Sequence, residues 1–365
     1  MRLALVPRRV RFTRLTQLVP ALALVAAGCA DDGGVTGGGF GDAQVIADFA
    51  DHVVIPTYQL LHQRAADLDA AAVALRAAPT PANLTAAQAA WVAMRRPWEQ
   101  SEAFLFGPVS ARGYDPAMDS WPVNRNDLDA VIASSDPLTA TYIHNLPETQ
   151  KGFHTVEYLL FGPLRDRAVG ELSARQLAYL TGLTAELVGV TGELEASWTT
   201  GSPSFRDVFA TAGASTNATY PSLTAAAQEI LIGMSAICDE VANGKIADPY
   251  DAHDPDLVES QFSFNSIADF ADNLRGVGNA YTGDMPLAGT AGRGLTDVIV
   301  AVDPALDARV RAELAEAIAR VEAIPDPFRA AITTPSAYPA IEAAQAAIRT
   351  LQVTLDGDVT AAALP

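Results

Sequence analysis

Residues 84–105 read LTAAQAAWVAMRRPWEQSEAFL. In this stretch the large apolar residues Leu84, Trp91, Trp98 and Leu105 recur every seven positions. A seven-residue apolar repeat forms one stripe along an α-helix and suits packing against neighbouring helices. The Ala, Gln and Glu residues between them are good helix formers. The stretch therefore predicts a helix of a bundle rather than a β-strand.

Helical spacing also dominates the rest of the chain. It recurs in two later stretches, at Val310, Leu314, Ile318 and Val321, and at Ile341, Ile348, Leu351 and Leu355. No long run alternates with period two, so few strands are expected. We predict an all-α fold, with helices over about 43–77, 82–105, 137–161, 173–199, 221–243, 258–281, 304–323 and 338–356.

A short repeat bears on domain organisation. The six residues 46–51, IADFAD, return as residues 267–272. The identity is either chance in an Ala-rich chain or the trace of two similar helical bundles that arose by duplication. A body of about three hundred residues also exceeds what one core usually holds. We expect an N-terminal bundle over 43–200 and a C-terminal bundle over 201–365.

The N-terminus has the order of an export signal. Five arginines and no acid precede the apolar stretch 15–27, and small residues then lead to Cys29. This order predicts a signal peptide over 1–28. The residues before Cys29 resemble a lipobox, which implies lipidation of Cys29 and a membrane anchor; a plain signal peptide with an incidental cysteine is the alternative. The Gly-rich residues 29–42 are expected to be a flexible tether. The protein would then be exported and held in the cell envelope, in the periplasm or on the outer face.

The charge balance limits the classes of partner. The chain has 24 basic and 43 acidic side chains, for a net charge of −19. Such an acidic surface repels phosphate backbones, so we expect no nucleic-acid partner. Acidity favours cations only in a general way, and it is also typical of a soluble exported protein.

Two pairs of polar residues could carry chemistry. His154 and Glu157 lie three apart in GFHTVE at 152–157, and Glu99 and Glu102 have the same spacing upstream. Residues three apart share one helix face, so each pair could contact one metal ion. An imidazole with carboxylates suits iron, zinc, copper or manganese better than calcium. The alternatives are a structural histidine, and a Glu99 paired with Arg95 while Glu102 faces water.

Zinc peptidases of the known motif classes need fixed spacings around their histidines. A zincin needs His-Glu-x-x-His, but Thr155 follows His154. The inverted motif needs His-x-x-Glu-His, but Tyr158 follows Glu157. Neither zinc-peptidase pattern is therefore present around His154.

Taken together, these residues resemble the imelysin-like proteins of bacterial envelopes, which include iron-regulated lipoproteins and periplasmic components of iron uptake systems. Residues 152–157 are similar to the family's Gly-x-His-x-x-Glu signature. Further matching residues are Trp91, Arg95, Trp98, Glu99, Glu102, Phe104, Gly107, Pro108, Asp119, Ser120, Trp121, Pro122, Ser263, Phe264, Asn265, Asp269, Asn273, Tyr281 and Gly283. The resemblance implies two helical bundles related by approximate duplication, with a cleft at their junction.

The resemblance also implies roles for individual residues. His154 and Glu157 would be metal ligands, joined by Glu99, Glu102 and Asp119. Residues Asn265, Asp269 and Asn273 would face the cleft from the second bundle. An iron-transport component is an implied partner. Members are often labelled metallopeptidases, a label that the missing zincin pattern puts in doubt here.

Three functions follow from these observations. The first, which we favour, is a lipid-anchored envelope protein that binds iron, or else zinc or copper, for uptake or storage. The second is a zinc metallopeptidase in which Glu157 or Glu102 activates water. The third is a binding scaffold without chemistry, whose cleft holds a polysaccharide, haem or another protein.

Overall fold

The stretch that suggested a bundle helix forms most of helix α3 in a computed structural model, which describes residues 40–364. The eighteen α-helices of this part of the chain are α1 Ala43–Asp48, α2 Ile55–Ala77, α3 Pro81–Ser101, α4 Pro108–Arg112, α5 Tyr114–Met118, α6 Arg125–Ala133, α7 Ala140–His144, α8 Gly152–Phe161, α9 Ala174–Thr199, α10 Phe205–Ala210, α11 Leu223–Glu240, α12 Ala247–Ala252, α13 Ser266–Thr282, α14 Leu295–Val302, α15 Pro304–Glu322, α16 Phe328–Ala331, α17 Tyr338–Thr354 and α18 Thr360–Ala363.

Shorter elements link these helices. Three π-helical turns cover Phe49–Val54, Val241–Lys245 and Leu355–Val359. Five 3₁₀ turns cover Glu102–Phe104, Glu148–Gln150, Val169–Glu171, Pro255–Leu257 and Pro335–Ala337. A hairpin pairs β1 Asp284–Met285 antiparallel with β2 Thr290–Ala291. These two-residue strands form the one sheet within residues 40–364, so the predicted all-α fold is confirmed.

Two groups of helices bury the apolar stripes. Helix α2 packs against α3 and α9, while α13, α15, α17 and α11 pack on one another. Helix α3 also lies against α13, which joins the two groups. At that contact the two helix backbones come very close, since a Cβ on Gly276 would lie 2.3 Å from the carbonyl oxygen of Gln100. The polar residues of α3 therefore meet the second half of the chain directly.

The repeated sequence lies in a helix in both halves. The first copy spans the end of α1 and the π-helical turn that follows, whereas the second lies in regular helix α13. Phe49 and Phe270 are both buried. The internal duplication and the boundary between residues 200 and 201 stay predictions.

Two of the predicted helices differ from the structure. The helix expected over 137–161 is divided into α7, a 3₁₀ turn and α8. Pro147 has no N–H to donate, and Gly152 has a φ of +77°, so one continuous helix is not possible. The helix expected over 258–281 begins only at Ser266, because residues 258–265 form turns with Ser260 and Phe264 at positive φ.

The described body begins slightly before the predicted boundary. Phe40 is buried and its N–H donates to Thr224 Oγ1 at 3.1 Å, while Asp42 caps α1. Phe40 and Asp42 therefore belong to the folded body and not to the expected tether over 29–42. The predicted signal peptide and Cys29 lie outside the described residues. Within the described part, no helix is both long and apolar enough to cross a membrane.

Candidate metal centre

The last turns of α3 carry the first charged residues of the site. Arg95 and Glu99 are one helical turn apart, they are fully buried, and Arg95 Nη2 contacts Glu99 Oε1. Glu102 follows in the 3₁₀ turn and is only 6% exposed. The alternative in which Arg95 pairs with Glu99 is therefore correct. Its second part is wrong, since Glu102 is turned inward and does not face water.

A glycine brings the histidine helix against the loop that holds Asp119. Gly152 begins α8 with a φ of +77°, and a Cβ there would lie 2.2 Å from the carbonyl oxygen of Met118. A residue with a side chain would meet both the strain of positive φ and this clash. The close approach puts His154 Nε2 3.0 Å from Asp119 Oδ1.

Glu157 fixes the orientation of the histidine. Its Oε2 lies 3.0 Å from His154 Nδ1. Its Oε1 accepts hydrogen bonds from the backbone N–H groups of Phe262 and Ser263, at 3.0 and 2.7 Å, and from the Ser263 hydroxyl at 2.7 Å. Both oxygens of Glu157 thus have partners, and they tie α8 to the turn that precedes α13.

That turn supplies a further acid, Glu259, which the sequence patterns do not predict. Glu259 is 1% exposed, and its Oε1 lies 3.9 Å from His154 Nε2. One donor atom from each of Asp119, His154 and Glu259 lies within 4.8 Å of the others. We call these three residues the central triad. His154 Nε2 and Glu259 Oε2 are buried atoms without a hydrogen bond of acceptable geometry.

Arg95 bridges two members of the central triad. Its Nη1 donates to Asp119 Oδ1 at 2.5 Å, and its Nη2 donates to Glu259 Oε1 at 2.7 Å. The other Asp119 oxygen, Oδ2, accepts from Trp98 Nε1 at 2.5 Å. Burial alone would lower the pKa of Arg95, but the charges of Asp119, Asp269 and Glu259 raise it above its usual value. The guanidinium therefore stays charged inside the protein.

Lys245 is the second buried base of the site. It ends the π-helical turn after α11, and its Nζ lies 2.6 Å from Glu102 Oε2 and 3.3 Å from Glu99 Oε2. Glu259 Oε2 is 3.1 Å from the same nitrogen. Burial would lower the pKa of Lys245, but Glu102 and Glu259 raise it well above its usual value.

The three residues expected to face the site from the second half differ in their roles. Asn273 reaches the site, since its Nδ2 donates to Glu99 Oε2 at 2.7 Å and to Glu102 Oε2 at 2.5 Å. Asp269 lies 3.8 Å from Arg95 Nε. Asn265 contacts Asp269 instead, donating from Nδ2 to Oδ1 at 2.7 Å.

Negative charge exceeds positive charge in this buried site, which we call the carboxylate centre. Its six buried carboxyl groups are Glu99, Glu102, Asp119, Glu157, Glu259 and Asp269. Its strong bases are Arg95 and Lys245, and His154 can add one further positive charge. Even with a charged imidazole, six ionised carboxylates would leave an excess of three negative charges. Burial of so much uncompensated charge is unfavourable unless protons or a cation neutralise it.

The proton affinities of the acids reflect this excess. Burial raises the pKa of Glu102 well above its usual value, despite the opposing charge of Lys245. Burial also raises the pKa of Asp269 to about 6 and that of Asp115, beside the centre, to about 7. Nearby carboxylates add to each of these shifts. A bound cation would release the protons that these groups hold.

Asp119 and His154 shift in opposite directions. Burial would raise the pKa of Asp119, but Arg95 and His154 hold it well below its usual range. Burial would lower the pKa of His154, but Asp119 and Glu157 raise it to about 9. The imidazole is therefore protonated at neutral pH and must lose this proton before it can bind a metal.

The structure thus brings together all five predicted metal ligands, but in unequal roles. Asp119 and His154 belong to the central triad, Glu157 orients His154, and Glu99 and Glu102 contact Lys245. Glu259 and Lys245 were missed. Lys245 had a detectable signal, because it is one of two lysines among 24 basic residues. The sequence signal for Glu259 is weaker: it is an acid that lies between the apolar residues Val258 and Phe262.

A surface cavity lies beside the centre. It has a volume of about 630 Å³ and is lined in part by Pro122 and Phe262. Pro122 follows Trp121, whose ring is 6.2 Å from that of His154, and Phe262 donates its N–H to Glu157. Arg125 and Arg329 also line the cavity.

Comparison with known proteins identifies the family. The family model described as Imelysin matches residues 54–355, which include the whole carboxylate centre. The chain belongs to the imelysin family. This family member is 35% identical over 318 residues to iron-regulated protein A of Synechococcus elongatus, with 87% of the chain and 85% of that relative covered.

Solved structures agree with this assignment. A crystal structure described as that of an iron-regulated protein A precursor from Parabacteroides distasonis has a TM-score of 0.80 and 28% identity, covering 88% of this imelysin-family chain and 94% of the other. An imelysin-like protein from Psychrobacter arcticum has a TM-score of 0.69 over 87% and 95% of the two chains. At 16% identity, this second likeness shows the fold alone.

Proposed function

We propose that this imelysin-family protein binds one iron or related metal cation at the central triad, for uptake or storage in the cell envelope. The observation that carries the proposal is the excess of buried carboxyl groups over bases around three convergent donor atoms. A folded protein gains little stability from such an arrangement, because uncompensated buried charge is costly. A cation offsets that cost.

The donor set fits a borderline transition metal. One imidazole nitrogen and carboxylate oxygens are ligands that iron, manganese and zinc accept, whereas calcium prefers oxygen alone. Two buried polar atoms of the triad, His154 Nε2 and Glu259 Oε2, make no hydrogen bond of acceptable geometry, although Asp119 Oδ1 and Lys245 Nζ lie 3.0 and 3.1 Å from them. One oxygen of Asp119 and one of Glu259 each accept a hydrogen bond from Arg95, so a metal ion and the guanidinium would compete for these carboxylates.

The remaining predicted ligands support the site from outside. Glu157 accepts from His154 Nδ1, an arrangement that commonly fixes a metal-binding histidine and strengthens its basicity. Glu99 and Glu102 add negative charge close by, partly offset by Lys245. We therefore assign Glu157 to orientation and Glu99 and Glu102 to charge, and place Glu259 in the ligand set.

Iron is the favoured cation for a reason outside the geometry. The relative from Synechococcus elongatus and the protein from Parabacteroides distasonis are both described as iron-regulated protein A or its precursor. Regulation by iron is consistent with a role in handling iron. Zinc and copper fit the same donors and are the competing candidates.

Binding is better supported than peptide hydrolysis. A hydrolytic role would require Glu157 or Glu102 to activate a water molecule. Glu157 has both oxygens occupied by His154 and the turn at 262–263, and Glu102 Oε2 is held by Lys245 and Asn273. Absence of chelator-sensitive cleavage of a peptide mixture is the expected result.

Export and anchoring form the second part of the proposal. The basic, apolar and small residues that precede Cys29 support a signal peptide and lipidation at that cysteine. An iron-transport component is the proposed partner, while the net charge of −19 disfavours nucleic acid. Cys29→Ser should release the protein from the membrane fraction of the producing cell. Continued membrane attachment would contradict the anchor.

The metal site is tested by metal analysis and calorimetry on the purified protein. We expect about one iron per chain, and its loss in His154→Ala. The matched control is His144→Ala, since His144 lies outside the carboxylate centre beside Glu186. Equal metal content in all three proteins would refute the site and favour a purely structural centre, in which Arg95 and Lys245 are the only counter-ions needed.

A further inference from the structure

The chain uses lysine very sparingly. Lys151 and Lys245 are the two lysines among 24 basic residues, and both are buried. The side chain of Lys245 has no solvent exposure. An ammonium is a compact charge on a flexible stem, whereas arginine presents a planar fork. A lysine buried among carboxylates therefore occupies a place that a spherical cation could also occupy.

Carboxylate oxygens are the nearest neighbours of the Lys245 ammonium, and the Trp121 ring lies 5.7 Å away. Its Nζ lies 2.6 Å from Glu102 Oε2, 3.1 Å from Glu259 Oε2 and 3.3 Å from Glu99 Oε2. Three carboxylates around one ammonium are more than a structural ion pair requires. Lys151 differs, because its Nζ donates to the backbone oxygen of His144 at 2.7 Å.

The position of Lys245 adjoins the central triad. Glu259 is shared, since its Oε1 lies 3.9 Å from His154 Nε2 and accepts from Lys245 Nζ at 3.4 Å, while its Oε2 lies 3.1 Å from Lys245 Nζ. Glu259 Oε2 is buried and has no hydrogen bond of acceptable geometry. A second acidic group, made of Glu102, Asp115 and Asp119, also has donor atoms within 4.8 Å of one another. It shares Glu102 with the surroundings of Lys245 and Asp119 with the central triad, so a second cation position would adjoin the first.

We propose that Lys245 fills a second cation position with its own ammonium and thereby limits the centre to one metal ion. This inference rests on the proposed metal site. Removal of the ammonium would open a position with oxygen ligands only, which suits a hard divalent cation such as Mn²⁺. The two ions would share a carboxylate, as in two-metal sites whose ions lie about 3.5–4 Å apart.

The test compares Mn²⁺ binding by the wild-type protein and Lys245→Met. Metal analysis after gel filtration should give one Mn²⁺ per chain for the wild type and two for Lys245→Met. Electron paramagnetic resonance should show an isolated ion in the first and a coupled pair in the second. Lys151→Met is the matched control and should keep one ion, as should Lys245→Arg, which retains the positive charge.

Each result supports or overturns one of the two proposals. One Mn²⁺ in both the wild type and Lys245→Met would overturn the role of Lys245 and leave the central triad intact. No Mn²⁺ in the wild type and every variant would overturn the proposed metal site and this inference with it.

The folding of Lys245→Met is informative as well. If the variant is unstable without metal, Mn²⁺ should restore its folding and replace the lost charge. A variant that stays unfolded at saturating Mn²⁺, while the wild type folds, would contradict the inference.

Discussion

Two clusters of charged residues each contain a lysine, a histidine and a glutamate, but they differ in burial and in charge balance. In the first half, Lys151, His144 and Glu186 form what we call the satellite cluster. Its Lys151 and Glu186 can neutralise each other, and the His144 side chain is 58% exposed. The carboxylate centre also contains a lysine, a histidine and glutamates. There, however, six buried carboxyl groups face two strong bases.

The difference shows what distinguishes a candidate metal site from structural burial of charge. Burial raises the pKa of Glu186 and Glu193 adds a little to the rise, while Lys151 and His144 oppose it. In the centre the neighbouring carboxylates raise pKa values further, because the bases are too few. Imbalance of buried charge, rather than burial itself, therefore indicates a place for a cation. The variants below test this comparison, from the largest expected effect to the smallest.

The largest effect is expected from Arg95→Met. The substitution leaves Asp119, Glu99 and Glu259 without their shared base, so unfolding free energy in the absence of metal should fall by about 3–5 kcal/mol. In the satellite cluster, Lys151→Met should cost about 1–3 kcal/mol, the range for an unsatisfied buried group. Denaturant titration measures both. Equal losses would break the distinction between the two clusters.

The next effect concerns the approach of α8 to the loop at Asp119. Gly152→Ala introduces a Cβ at positive φ and 2.2 Å from the Met118 carbonyl oxygen, so we expect a loss of about 1–3 kcal/mol together with weaker metal binding. Gly189→Ala is the control, since it lies in α9 with open space around it. The free energy of unfolding of that variant, measured by thermal or chemical denaturation, should rise by up to about 1 kcal/mol. An unchanged Gly152→Ala protein would show that this close contact does not position His154.

A smaller effect is expected from Glu157→Gln. The amide keeps an acceptor for the N–H groups at 262–263 but loses the charge opposite His154 Nδ1. Loss of such an orienting carboxylate typically weakens metal affinity about 10–100-fold. Calorimetric titration measures the change. A complete loss of binding would instead indicate that Glu157 is itself a ligand.

The smallest effect is expected from a change in pH of one unit. The pKa of His154 is about 9 in the folded protein and that of Asp269 about 6, both above their usual values. In its protonated form, each group therefore stabilises the metal-free folded protein relative to the unfolded chain. The contribution of His154 to the free energy of unfolding is complete below about pH 6.5 and is lost as pH rises through 9. The contribution of Asp269 is complete below about pH 3.8 and is lost as pH rises through 6.

Metal affinity should change in the opposite sense. Because the ion displaces these protons, affinity should rise by about tenfold per pH unit for each proton released, up to about pH 6 for Asp269 and about pH 9 for His154. Thermal melts between pH 6 and 9, with and without metal, measure the resulting stabilisation. A metal-induced shift in Tm that is constant over this range would argue that His154 is not a ligand.

The sequence predicts the regular parts of this protein better than the site. The apolar stripe of α3 and the spacing of Glu99 with Glu102 are local patterns, and a helix turns them directly into shared faces. The assembly of the two pairs in one place depended on the family resemblance. Nothing local indicates that α3 lies against α13 or that Gly152 lies against Met118.

The missed residues lie where local patterns fail. Glu259 was assigned to a helix, but residues 258–265 form turns in which Ser260 and Phe264 have positive φ. This irregular backbone points Glu259 and two N–H groups at the same site as α8. Lys245 lies in a π-helical turn, so its side chain lies on a different face from the one that the regular α-helical period predicts.

The most direct test of the account is the position of a bound metal in a crystal of the iron-loaded protein. Anomalous scattering at the iron edge should give one peak, about 2.0–2.2 Å from His154 Nε2 and from oxygens of Asp119 and Glu259. A peak elsewhere, or none while Arg95 still bridges Asp119 and Glu259, would contradict the claim that unbalanced buried charge marks a cation site.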